Sequence, residues 1–148
     1  FRQFKMLKKW LEDKKLEISK HGHIYSIFGR KRRLPNVHSS DQGVASHEVR
    51  SGINFLVQST ASDINLLGAI DMNSYIKEHG LKSKIFALVH DSILAEVPDH
   101  EVEHYCTRLK EFVQKPRQGC VIKGAPIGCD FDIGQDYSFG KFEKTYEA

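Results

Sequence analysis

The residues best able to do chemistry in this chain fall into three groups. The first is His90-Asp91-Ser92, a polar triplet between two apolar runs, 85–89 and 93–97. Runs rich in Ile, Val, Leu and Phe around such punctuation read as the paired strands of a hairpin. An Asp at a strand junction is costly to bury unless a cation or a dense hydrogen-bond shell compensates its charge. Asp91 is therefore a candidate metal ligand, and His90 a candidate donor beside it; the alternative is a turn Asp that accepts backbone N–H bonds. The second group is Arg50, Asn54 and Gln58, which recur every fourth residue, with His47, Ala61 and Asn65 on the same line. Solvated helix faces usually carry Lys and Glu, whereas Arg, Asn and Gln suit directional hydrogen bonds. Asn and Gln both donate and accept, which lets them contact bases or sugars; the alternative is a polar packing seam. The third group is the cationic tetrad Arg30, Lys31, Arg32 and Arg33. Arginines make bidentate, charge-assisted contacts with phosphate oxygens, so the tetrad reads either as a phosphate clamp or as a solvated basic loop.

The elements that must position these groups follow from periodicity. Residues 1–20 read as a helix with Phe4, Leu7 and Leu11 on one face, ended by His21-Gly22. Residues 23–28 have strand character, Gly29 opens a turn carrying the tetrad, and Leu34-Pro35-Asn36 closes that unit. Ser39, Ser40 and Asp41 offer caps to a long helix over about 44–77, whose buried stripe is Val49, Ile53, Leu56, Ile64 and Leu67. A turn at His79-Gly80 leads into the hairpin. Pro98-Asp99 starts a further helix with Val102, Tyr105, Cys106, Leu109, Phe112 and Val113 as its core stripe, and Pro116 stops it. Residues 127–133 alternate with period two, placing Ile127, Cys129, Phe131 and Ile133 inward and Asp130 and Asp132 outward. Residues 134–148 show no regular pattern. Strands mixed with helices in this order predict an α+β fold, an antiparallel sheet packed on helices.

Composition narrows the class. A chain of 148 residues suits one domain with a real core. The net charge of +3 permits a polyanion partner, and the basic residues are concentrated in the tetrad and in Lys5, Lys8, Lys9, Lys14 and Lys15. Three cysteines without CxxC spacing argue against a disulfide framework or a structural zinc site, and fit a reducing cytoplasm. No apolar run approaches the roughly 18 residues of a membrane helix, so no membrane partner is expected, and no signal peptide is visible. The chain begins at Phe1 inside a predicted helix, so it reads as a piece of something longer.

Taken together, these stretches resemble the C-terminal part of A-family DNA polymerases, the group of bacterial DNA polymerase I and phage replicases. Gly29-Arg30-Lys31-Arg32-Arg33-Leu34-Pro35 resembles the GRxRxLP turn before the long palm helix. The stretch from Arg50 through Asn54, Gln58, Ala61 and Asp63 to Ile64 resembles the family's R-x3-N-x3-Q-x2-A-x-D-I helix. Val89-His90-Asp91-Ser92 resembles motif C, usually VHDE, and Ile133-Gly134-Gln135-Asp136-Tyr137 is similar to the closing G-x-x-W segment. Two positions depart from the pattern: Ser92 stands where motif C usually ends in an acid, and Tyr137 where Trp is usual.

The resemblance implies that residues 1–22 follow the fingers, that 23–38 form a basic strand-turn unit, and that 39–148 form a palm core with the motif C hairpin. It implies that Asp91 is one of two aspartates holding the catalytic Mg²⁺ ions, and that His90 contacts the primer terminus. It also implies that Arg50, Asn54 and Gln58 line the minor groove of the primer–template, where acceptors lie alike for every base pair, and that Ser92 alters metal tuning. The implied activity is template-directed nucleotidyl transfer from dNTP to a primer, in a bacterial cytoplasm and with phage-like departures. The other carboxylate and the fingers lie upstream, so this chain is expected to be inactive alone and to need an upstream segment or a partner chain. Two rivals are a palm remnant that binds DNA or a partner without chemistry, and a small metal-dependent phosphoesterase using Asp91 with Asp130 or Asp132.

Overall fold

The computed structural model describes residues 4–117, 127–137 and 144–146, the last by backbone alone. The first three residues of the expected opening helix, Cys120 and much of the expected tail lie outside the described residues. The chain divides into two compact units, Phe1–Asp63 and Ile64–Ala148, with the boundary inside one long helix. The α+β class is as expected. Among the described residues the strands pair as three antiparallel two-stranded ladders.

In the first unit, α1 (Lys5–His21) stops at Gly22, whose φ of 63° is left-handed and whose N–H donates to the Ile18 carbonyl at 2.9 Å. This is the glycine cap expected from the sequence. β1 (His23–Tyr25) then pairs with β2 (Lys31–Arg33) in the register His23↔Arg33, Ile24↔Arg32, Tyr25↔Lys31. Only Arg30 of the tetrad lies in the turn, where all four residues were expected. The turn is tighter because Gly29 takes φ 79°, its N–H bonds the Ser26 carbonyl, and the Ser26 hydroxyl accepts the Arg30 N–H at 3.1 Å. Strand pairing therefore resumes at Lys31.

The hairpin is closed by the Leu34 N–H donating to the Gly22 carbonyl at 2.8 Å, and a short 3-10 turn, Pro35–His38, leads to α2 (Gln42–Glu78). The Asp41 carboxylate caps this helix, accepting the N–H groups of Gly43 at 2.7 Å and Val44 at 3.2 Å. Ile18, Ile24, Leu34, Val37 and Leu56 form the core, with Trp10, Val49, Ile53 and Phe55 packed against it. The helix comes close at Gly52, where a Cβ would lie 2.7 Å from Leu34 Cδ1 and 2.8 Å from Ile18 Cδ1.

In the second unit, α2 ends at Gly80 (φ 65°) with the Leu81 N–H reaching back to the Ile76 carbonyl at 3.0 Å. β3 (Lys84–Val89) and β4 (Ser92–Glu96) form the predicted hairpin, with Leu88↔Ile93 and Val89↔Ser92 in register and an irregularity between Ile85 and Ala87. After a 3-10 turn, Asp99–Glu101, comes α3 (Val102–Gln114), which ends before Pro116 as expected. Its Tyr105, Leu109 and Val113 are buried, as are Ala69, Met72 and Ile76 of α2. Val102, Cys106 and Phe112 are half-buried.

The alternation over 127–133 holds, with Asp130 and Asp132 exposed. β5 (Phe131–Ile133) pairs with β6 (Lys144–Tyr146). This second strand falls in a tail where no pattern is legible, because three residues are too few for a period to register. Cys106 and Cys129 are free thiols, and burial pushes Cys106 up to about 11. No described helix is long and apolar enough to cross a membrane.

Candidate functional site

The two residues that join β3 to β4 are His90 and Asp91, and both are exposed. Two-residue hairpin loops match the twist of their strands only with positive φ in the loop. His90 supplies it at φ 55°, the one non-glycine residue in that region among the described residues. Such a backbone is strained for a residue with a Cβ. The sequence has Asp91 projecting from a tight turn between two strands, and the structure places it at a solvated tip of that turn, where the carboxylate makes no side-chain hydrogen bond among the described residues. A solvent-facing carboxylate on a rigid hairpin fits one position in the oxygen shell of a hard divalent cation. Among the described residues no cluster of three or more His, Cys, Asp or Glu side chains converges.

The strand leading to this tip is anchored by a residue that sequence reasoning missed. Glu101 is buried, and its carboxylate accepts the Lys82 N–H at 2.9 and 3.2 Å, the Ser83 N–H at 2.9 Å and the Ser83 hydroxyl at 2.6 Å. These bonds, the Lys82 amide first, hold its carboxyl below the usual carboxylate range. The only sequence signal is an acid at the start of a helix. Its partners lie 18 and 19 residues away, beyond any local pattern.

On α2, Arg50, Asn54 and Gln58 are exposed in a row, together with His47 and Ala61, while Asn65 is half-buried. None of the three makes a side-chain hydrogen bond among the described residues. The row is therefore a presented face rather than a packing seam, and Val49, Ile53 and Leu56 of the same helix face the core.

The tetrad divides. Arg30 forms an ion pair with Asp63, with Nη2 on Oδ1 and Nε 3.4 Å from Oδ2. Asp63 is buried and also accepts the Ser59 hydroxyl at 3.4 Å. The hydrogen bond and the charge of Asp63 together raise the Arg30 pKa further. Arg32 donates to the Ser51 hydroxyl at 2.8 Å and lies 5.8 Å from the Phe55 ring centroid. Arg30 and Arg32 thus tie the β1–β2 hairpin to α2, a role the clamp expectation did not include. Lys31 and Arg33 are exposed.

Comparison with known proteins gives a consistent result. Residues 1–138 match the family described as DNA polymerase family A. The chain is 46% identical over its whole length to a DNA polymerase of Escherichia phage T5, of which it spans 18%. It is 28% identical over 93% of its length to DNA polymerase I of Chloroflexus aurantiacus, of which it spans 14%. Its structure aligns with the POL domain of Pol1 from M. smegmatis, solved in complex with DNA primer-template and dNTP. The TM-score is 0.72 and the identity 31%, over 77% of this chain and 20% of that one. An α+β chain with this ordered set of motifs belongs to DNA polymerase family A. It spans less than a fifth of the length of the curated relatives named here.

Proposed function

We propose that this chain is the C-terminal part of the palm of a template-directed DNA polymerase. In this reading residues 1–22 follow the fingers, 23–38 form the basic hairpin unit, and 39–148 form the palm core. The observation that carries it is how the family-motif residues are presented. Asp91 stands exposed at a hairpin tip with its carboxylate unengaged among the described residues, and Arg50, Asn54 and Gln58 stand exposed on one helix line. Asp91 offers a carboxylate ligand to Mg²⁺, and His90, held next to it by the two-residue turn, contacts the primer terminus. Arg50, Asn54 and Gln58 donate to minor-groove acceptors of the primer–template, which occupy similar positions in every correctly shaped pair. Divalent cations bound at such a site supply Lewis-acid activation and charge neutralisation for phosphoryl chemistry.

The partners in this reading are primer–template DNA, dNTP, and a segment that carries a second carboxylate and the fingers, either earlier in the same polypeptide or on a separate chain. Phe86, Leu88 and Val89 support the need for such a segment. They are apolar side chains left exposed on β3, with Phe86 at 64%, and suit burial against further protein.

The test is primer extension with Mg²⁺, comparing this chain, this chain with the upstream polymerase segment, and that pair carrying Asp91→Ala. Incorporation only by the intact pair, abolished by Asp91→Ala, is the expected result. Incorporation by this chain alone would refute its dependence on a partner. Full activity of the Asp91→Ala pair would refute the ligand assignment.

A further inference from the structure

One face of the β1–β2 hairpin lies outside the contacts by which Arg30 and Arg32 tie it to α2. The antiparallel register places His23 beside Arg33 and Tyr25 beside Lys31, so these four residues share a face. Ile24 and Arg32 occupy the other face, where Ile24 is fully buried and Arg32 reaches Ser51. His21 extends the outer row, its ring centroid 5.9 Å from that of His23, and His23 meets Tyr25 edge-on at 5.4 Å. The His23 Nδ1 lies 2.9 Å from the His21 carbonyl, which orients the ring. Lys31 Nζ stands 5.4 Å from the Tyr25 ring centroid, and Tyr25 remains 50% exposed. From residue 18 to residue 40 there is no Asp or Glu, and the buried carboxylate that reaches this unit, Asp63, is engaged by Arg30.

A ladder of aromatic rings flanked by cations that make no ion pair among the described residues suits a flexible polyanion with stackable bases. Rings accept any base face, and cations track the phosphates. A duplex, whose bases are already stacked, gains nothing from the rings. We propose that this outer face, His21, His23, Tyr25, Lys31 and Arg33, binds single-stranded nucleic acid. A base stacks on Tyr25, and Lys31 and Arg33 contact the backbone. Arg30 and Arg32 take no part, because their guanidinium groups are committed to Asp63 and Ser51. The inference goes beyond the duplex contacts assigned to α2, and the two fail separately.

The test measures fluorescence anisotropy of a labelled oligo(dT) and of a labelled hairpin duplex with this chain over a series of KCl concentrations. Each variant's far-UV circular dichroism and melting are recorded. Tyr25→Leu is expected to weaken oligo(dT) binding by about tenfold and leave the duplex unchanged. Changing Lys31 and Arg33 together to Gln is expected to weaken oligo(dT) binding and reduce its log–log salt slope by about 1.4, roughly 0.7 for each lost phosphate contact. Arg50→Ala is expected to weaken the duplex and leave oligo(dT) unaffected. Ultraviolet cross-linking of an iodouracil-substituted oligonucleotide is expected to label Tyr25. If Tyr25→Leu loses its melting transition, Tyr25→Thr, which keeps strand propensity, supplies the comparison. Unchanged oligo(dT) affinity in the folded Tyr25 and Lys31/Arg33 variants would overturn the proposal, as would cross-links confined to other segments. Loss of duplex binding alone would leave this face standing and implicate α2.

Discussion

The close approach of α2 to the GRxRxLP segment makes a quantitative prediction about how the first unit holds together. Leu34 is 1% exposed, and replacing a buried Leu with Ala costs about 2–5 kcal/mol, of which about 3 is a central value. Gly52→Ala has two opposed effects. Ala favours a helix interior over Gly by about 1 kcal/mol. The new methyl would also lie 2.7 Å from Leu34 Cδ1 and 2.8 Å from Ile18 Cδ1, and overpacking of this kind costs about 1–3 kcal/mol. With both obstructing side chains fully buried there is little room to turn, so the single variant is expected to lose about 1 kcal/mol.

In the Leu34→Ala background the nearer obstruction is gone and Ile18 can rotate into the vacated space. The alanine introduced by Gly52→Ala then keeps its helix gain of about 1 kcal/mol. The two substitutions are therefore expected to be less damaging together than their separate costs imply, with a coupling of about 2 kcal/mol. The assay is urea denaturation of wild type, the two single variants and the double variant, followed by circular dichroism with a common slope. Additivity within about 0.5 kcal/mol would refute the packing argument, since independent sites add to that precision. Stabilisation by Gly52→Ala alone would refute it as well.

Two further outcomes follow from other positions. The Glu101 carboxyl lies below its ordinary value, so its contribution to stability is fully present above the unfolded pKa of about 4.3 and is lost as pH falls through the lowered folded value. Urea midpoints of wild type are thus expected to drop along an acid limb that Glu101→Gln flattens; identical limbs would show that the carboxylate bonds to Lys82 and Ser83 are not what holds this turn. His90→Gly is expected to raise stability by about 1 kcal/mol by relieving the left-handed backbone. It should also lower primer extension in the reconstituted pair. His90→Val, whose branched Cβ is worse suited to φ 55°, should melt earlier than wild type, and a reversed order of the two melting temperatures would contradict the turn geometry.

Much of the fold is legible in the order of residues because it is written locally. Gly22 and Gly80 end helices, Asp41 caps one, Pro116 follows another, and the runs beside His90-Asp91 pair as a hairpin. Each signal acts over a few residues, where backbone sterics and capping hydrogen bonds operate. The line Arg50, Asn54, Gln58 is likewise set by helical period alone. What the local order leaves open is which partner each polar side chain finds. Arg30 and Asp63 are separated by 33 positions, and their pairing adds a brace between the hairpin and α2 that no local pattern announces. Glu101 anchors the entry to β3 through amides that no spacing rule connects to it. Whether Asp91 is buried or solvated, and which two cations of the tetrad face outward, depend on strand register and on what packs behind Ile24. Those are tertiary decisions. A charged side chain has similar local preferences in either setting, and only the assembled surroundings determine whether its charge meets a carboxylate, a ring or water.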